Sequence, residues 1–255
     1  MSSKESDKTM KFCNINFTIL NKEQLFTRKE DETKCIATVN AQFIVLANTT
    51  RRYMEYINAN YATFDGEIPL KKARKYNPAF KNAQKLPGSE IVYDFAEYAR
   101  EHGLKTFYLG GYKDSNSEAV KIIREKYGAE IEGFSPDYEP YPFSKKFTDE
   151  CLDAIGKFKP HILFVGFGAP KQEYFIEENK QFLSSIGVQY VIGCGGTFEF
   201  VSGKIKRAPK WIQNTGLEGI WRLFQEFGIE RIKRILYSFR FFKYIKGKPD
   251  FEKST

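Results

Sequence analysis

Three stretches of this chain share one grammar: a short apolar run, a glycine turn, and a polar segment with helical periodicity. They are LKTFYLGGYKDSNSEAVKIIREKYG from Leu104, PHILFVGFGAPKQEYFIEENKQFL from Pro160 and SSIGVQYVIGCGGTFEFVSG from Ser184. Parallel strands cannot be joined by a tight hairpin and need a crossover, usually a helix. Repeated units of this kind therefore call for an α/β fold, with a mostly parallel sheet covered by helices on both faces. Two earlier apolar runs end in polar residues, at Thr38-Val39-Asn40 and at Phe64-Asp65-Gly66, where open α/β sheets place ligands. Between them AQFIVLANTTRRYMEYI reads as one helix, KKARKYNPAFKNAQK as a basic irregular segment, and SEIVYDFAEYAREHG as a helix capped by Ser89 and ended by Gly103.

The glycine turns, at Gly110 and Gly111, at Gly166 and Gly168, and at Gly193, Gly195 and Gly196, are open to two readings. They let backbone N–H groups approach a phosphate, or they simply turn the chain from strand to helix. None fits G-x-G-x-x-G with its downstream acid or the G-K-[ST] of a P-loop, which argues against a dinucleotide dehydrogenase and a P-loop kinase. Asp65 is the candidate general base, with an Asp-Gly turn as the plain alternative. Thr38 and Asn40 can bind a sugar or phosphate, or cap the next helix. Only two histidines occur, His102 and His161, so a His-based metal centre is not expected, and Asp137 with Glu139 sits in a Pro/Tyr loop rather than in a convincing metal pair. No G-x-S-x-G nucleophile is present. The expected cofactor and metal are none.

Charge separates the end of the chain from the rest. The protein carries a formal +8, and residues 203–248 hold twelve Lys/Arg against three Glu, so the remainder is nearly neutral. In this tail Leu217, Ile220, Trp221 and Phe224, and later Ile232, Ile235, Leu236 and Phe239, recur at helical spacing with cations on the other faces. Such helices can lie on anionic lipid, pack on the core or an oligomer partner, or bind RNA. Four scattered cysteines without a C-x-x-C pair fit a reducing, cytoplasmic setting. The start, MSSKESDKTMKF, lacks the apolar region of a signal peptide, and no run of about 18 apolar residues occurs.

At GFGAPKQE and GCGGTFEFVSGKIKRAPKWIQNTGLEGIWRLFQE the sequence resembles the WecG/TagA/CpsF family of bacterial glycosyltransferases, and T-V-N at 38–40, F-D-G at 64–66 and L-P-G-S-E at 86–90 fall where that family carries related elements. The resemblance implies a Rossmann-like catalytic core over residues 1–202 and a C-terminal appendage over 203–255. It implies an inverting transfer from a UDP-sugar, of N-acetylmannosamine type or related, to a polyprenyl-diphosphate-linked glycan at the cytoplasmic face of a membrane, without a metal. The partners are then the two substrates and an anionic membrane surface, with a second copy of the chain as a further candidate, and not nucleic acid. Carried over residue by residue, Asp65 is the base, Thr38, Asn40 and Gln172 line the pocket, and Arg207, Arg222 and Arg231 meet the diphosphates. Lys85 stands where the family commonly has Arg, and Glu199 where it has Asp. These two residues and Gly110, Gly111, Gly168, Gly193, Gly195 and Gly196 complete the expected substrate and nucleotide contacts. The competing expectation is a non-catalytic anion-binding protein, for RNA or for a polysaccharide-assembly complex.

Overall fold

A computed structural model describes residues 8–29, 32–216, 218–225 and 228–251. Along the chain run β1 (Thr9–Phe12), β2 (Ile15–Thr18), α1 (Lys22–Leu25), β3 (Lys34–Val39), α2 (Ala41–Thr49), α3 (Arg51–Ala59), β4 (Tyr61–Phe64), α4 (Glu67–Tyr76) and α5 (Gly88–His102). Then follow β5 (Lys105–Gly110), α6 (Lys113–Tyr127), β6 (Glu130–Phe134), α7 (Lys145–Phe158), β7 (Ile162–Gly166), α8 (Lys171–Glu178), α9 (Lys180–Ser185) and β8 (Tyr190–Gly193). The chain ends through α10 (Thr197–Val201), α11 (Lys210–Thr215), α12 (Glu218–Gln225) and α13 (Ile229–Phe239). It is a mixed α/β fold with a mostly parallel sheet, as the repeated units require.

Two compact units can be distinguished. Among the described residues, the first takes those up to Thr27, Ala37–Pro87 and those from Arg207 on; the second takes those of Arg28–Ile36 and Gly88–Lys206. The passage from the second unit to the first, at Lys206–Arg207, lies four residues beyond the expected boundary at 202.

In the first unit the strand order is β1-β2-β4-β3, with β1 antiparallel to β2 and β2 parallel to β4. Its core is aromatic: Phe17 and Phe64 stack with ring centroids 3.9 Å apart, and Phe80 meets Phe64 edge-on at 5.8 Å. The single helix expected over 41–57 is two helices. Thr50 is extended (φ −124, ψ 109), and just before it Asn48 donates to Ile44 O at 2.8 Å and Thr49 to Val45 O at 3.2 Å. Side chains that compete for the carbonyls of the preceding turn weaken the helical ladder where the chain breaks. Conversely, the segment read as irregular begins with the end of α4, Lys71–Tyr76, and continues through a 3-10 turn at Pro78–Asn82. Pro69 is tolerated in the first turn of α4, Leu70 and Ala73 bury one face, and Asn77 turns extended before Pro78.

In the second unit the order is β3-β8-β7-β5-β6, and β6, β5, β7 and β8 pair in parallel. Ile162–Val165 and all of β8 are buried, the continuous apolar pattern of strands covered on both faces. Phe95 of α5 packs edge-on against Phe164 at 5.7 Å and Tyr190 at 5.3 Å. Gly110 lies opposite Gly166 and Val165 opposite Gly193, so the three glycine turns leave the same, carboxyl edge of these strands.

Candidate active site

Asp65 stands immediately after β4. Its N–H donates to Val39 O at 3.0 Å, extending the ladder by one residue, and Gly66 follows because a Cβ there would sit 3.1 Å from Pro69 Cδ and 3.7 Å from Asn40 Cα. Asn40 caps α2, accepting from Phe43 N at 3.1 Å, and its side chain also hydrogen-bonds Asp65. Buried Thr38 lies two residues earlier, hence on the same side of the extended chain. Lys85 is brought alongside by a parallel bridge to Phe64, with Leu86 N donating to Phe64 O at 2.7 Å. The first unit thus gathers Thr38, Asn40, Asp65 and Lys85 from three segments.

The electrostatics of this cluster favour a base. Burial is the largest influence on Asp65 and raises its pKa from 3.8 to about 7, with the charge of Glu218 acting in the same direction. The Asn40 hydrogen bond, Lys85 and Arg207 oppose the rise. A carboxylate poised near neutrality can both hold and release a proton at working pH. Glu218, in the first turn of α12, was not singled out from the sequence, although it is the only acid between Glu199 and Glu226 in a basic stretch. It pairs with Arg207 at 3.9 Å, both side chains being partly exposed. Arg222 follows one turn later on the same helix, half-buried. Arg231 lies in α13, and its side chain is outside the described residues.

In the second unit the glycine turns are held by internal contacts. Gly110 (φ +87) and Gly111 (φ +72) are left-handed, and a Cβ on them would lie 2.7 Å from the Phe167 ring and 2.8 Å from that of Phe198. The N–H of Gly111 donates to Gly166 O at 3.1 Å. The N–H groups of Gly168 and Gly195 both donate to Gln172 Oε1, at 3.1 and 3.0 Å. Gln172, expected to line the pocket, is fully buried beneath these turns. Gly193 is buried within β8, and Gly196 immediately precedes α10. Glu199 in α10 is buried, its Oε2 has no hydrogen-bond partner among the described residues, and its Oε1 lies 3.7 Å from the position a Cβ would take on Gly111.

The remaining titratable groups serve structure. His161 accepts from Lys105 N at 3.0 Å and His102 stacks on Tyr98. Asp137 is paired with Lys113 at 2.7 Å, and Glu139 accepts from Ser144. All four cysteines are free and buried, and burial pushes Cys13 and Cys151 up to about 12.

The tail packs within the first unit. Tyr237 of α13 meets Thr49 of α2 at 3.3 Å, Asn14 donates to Gly247 O at 3.0 Å, and Asp250 N to Asn48 O at 3.0 Å. Phe241 and Tyr244 are buried, whereas Phe224, Ile229 and Leu236 are 81%, 71% and 63% exposed. No helix among the described residues is long and apolar enough to cross a membrane.

Over 222 residues, covering 84% of this chain and 82% of the relative, the sequence is 28% identical to an N-acetylglucosaminyldiphosphoundecaprenol N-acetyl-beta-D-mannosaminyltransferase of Staphylococcus aureus (strain MW2). Residues 10–248, which include the Asp65 cluster, the glycine turns and the basic tail, match the glycosyl transferase WecG/TagA/CpsF family, and the chain belongs to that family.

Proposed function

We propose that this glycosyltransferase moves a sugar with inversion from a UDP-sugar, of N-acetylmannosamine type or a relative of it, to a polyprenyl-diphosphate-linked glycan. The observation that carries this reading is Asp65, a carboxylate raised to about 7 and hydrogen-bonded by Asn40. The carboxylate takes the proton of the acceptor hydroxyl, the oxygen attacks the anomeric carbon from the face opposite the leaving group, and the bond from that carbon to the phosphate oxygen breaks, releasing UDP. Negative charge builds on the departing diphosphate, and Lys85, Arg207, Arg222 and Arg231 supply the compensating charge without a metal.

The donor's nucleotide is assigned to the glycine turns and Glu199. Because the N–H groups of Gly111, Gly168 and Gly195 already have acceptors, the turns contribute mainly through their missing side chains, which let a ligand lie against backbone. The orphaned Glu199 Oε2 is available to a hydroxyl or N–H of the nucleotide. A lipid-linked acceptor requires work at a bilayer surface, and the exposed apolar residues of α12 and α13 among tail cations suit peripheral binding to anionic lipid on the cytoplasmic face.

The decisive experiment is transfer by Asp65→Asn with UDP binding measured in parallel. Transfer should fall by at least about 10²-fold while UDP still binds, and activity of the unaltered protein should survive EDTA. An active Asp65→Asn protein would remove Asp65 from the base role.

A further inference from the structure

Gln172 and Glu173 open α8 directly behind the Gly168 turn, and both are buried, with 0% and 1% of their surface exposed. Burying an amide beside a carboxylate is unfavourable unless the polar atoms meet partners. Here Gln172 Oε1, Gln172 Nε2 and Glu173 Oε1 meet one another and the turns. Gln172 Oε1 accepts from the N–H groups of Gly168 and Gly195, and Gln172 Nε2 donates to Glu173 Oε1 at 2.8 Å. The amide can face only one way. Rotated by half a turn it would point N–H at two backbone N–H groups and oxygen at a carboxylate oxygen. Gly193 leaves the space for this arrangement, since a Cβ there would lie 2.8 Å from Gln172 Nε2 and 3.2 Å from Glu173 Oε1.

We propose that Glu173 is a positioning residue: by holding the Gln172 amide in one orientation it ties the Gly168 turn to the Gly195 turn and sets the spacing of the backbone against which a nucleoside diphosphate lies. Gln172, on this view, shapes the donor site from beneath rather than touching the sugar. The proposal rests on the assignment of the donor to these turns. It also accounts for an acid and an amide side by side in a buried turn of helix, because Glu173 Oε1 gives the amide nitrogen an acceptor.

The test uses the full chain in three forms: Glu173→Ala, Gln172→Glu, and the exchange Gln172→Glu with Glu173→Gln. In the exchanged pair the carboxylate at 172 accepts from both glycine N–H groups and the amide at 173 donates to it, so the network closes again. Hydrogen exchange at the Gly168 and Gly195 amides and the donor KM and kcat are measured. Glu173→Ala should speed exchange at both glycines about tenfold and raise the donor KM about tenfold, leaving kcat within about threefold; these magnitudes correspond to loss of about one hydrogen bond. Gln172→Glu alone, which sets two carboxylates side by side, should be at least as impaired, and the exchanged pair should recover both readouts. Unchanged exchange in Glu173→Ala, or an exchanged pair no better than Gln172→Glu, overturns the proposal. If Glu173→Ala does not fold, the comparison of Gln172→Glu with the exchanged pair decides. Should the unaltered protein fail to bind UDP, the assignment of the donor falls, and amide exchange alone judges the clamp: protection lost in Glu173→Ala sustains it, protection kept overturns it.

Discussion

Asn40 hydrogen-bonds Asp65 while its own Oδ1, at 3.1 Å from Phe43 N, caps α2. With the oxygen committed to the helix, the amide nitrogen is the atom that faces the carboxylate, and it favours the charged form. Helix capping, which the sequence offers for Asn40 as the alternative to binding a sugar or phosphate, is joined here to a contact with Asp65.

Asn40→Ala removes both. Loss of the cap should cost about 1 kcal/mol of stability. Loss of the donor should raise the Asp65 pKa further, so the acidic limb of the pH profile of kcat/KM moves to higher pH and the loss of activity is greatest below neutrality. An acidic limb that stays in place would separate Asn40 from the base.

Glu218→Gln acts in the opposite sense. The negative charge of Glu218 raises the pKa of Asp65, so its removal should lower it and extend activity toward acid pH. The groups facing Asp65 in this account are Glu218, Lys85, Arg207 and Asn40. A pH profile of kcat/KM that shifts upward, or not at all, would contradict the charge coupling.

Asp65 should also cost stability at the pH where it works. Its folded-state pKa, about 7, lies above its ordinary value of 3.8, so its contribution to stability is fully present below about pH 4 and is lost as pH rises through 7. Asp65→Asn should therefore be more stable than the unaltered protein at pH 8 and little different at pH 4. The gain in Tm should be about 2–4 °C for each kcal/mol recovered, read by thermal unfolding at the two pH values.

The tail helices should hold the protein to lipid through their exposed apolar residues. Phe224→Ser with Leu236→Ser removes two side chains worth about 1.5–3 kcal/mol each on full burial. Co-sedimentation with anionic vesicles should fall at least about tenfold, while Tm, since neither side chain is buried in the protein, stays within about 2 °C. Undiminished vesicle binding would leave the cations alone to explain any membrane contact.

Much of this protein could be read from local pattern. The strand, glycine and helix units were legible because apolar runs and glycine are short-range signals, and Asp65 because a polar residue closing such a run falls at a strand's carboxyl end. The break at Thr50 escaped, since it depends on Asn48 and Thr49 bonding back to carbonyls that a periodicity count treats as helical. Glu218 escaped because its effect on Asp65 crosses more than 150 residues of sequence. The glycine turns were legible as turns, yet what crowds them, Phe167, Phe198 and Gln172, could be named only from the packed interior.

The sequence by itself determined the α/β class, the order of the units, the basic character of the tail and the place of Asp65 at a strand's end, because each is written in nearest-neighbour composition and spacing. Tertiary structure decided the burial and charge environment of Asp65 and the hydrogen-bond partners of Gln172. A pKa depends on burial and on charges brought near from distant segments, and an amide's role depends on which backbone groups it meets; neither quantity exists until the chain is folded.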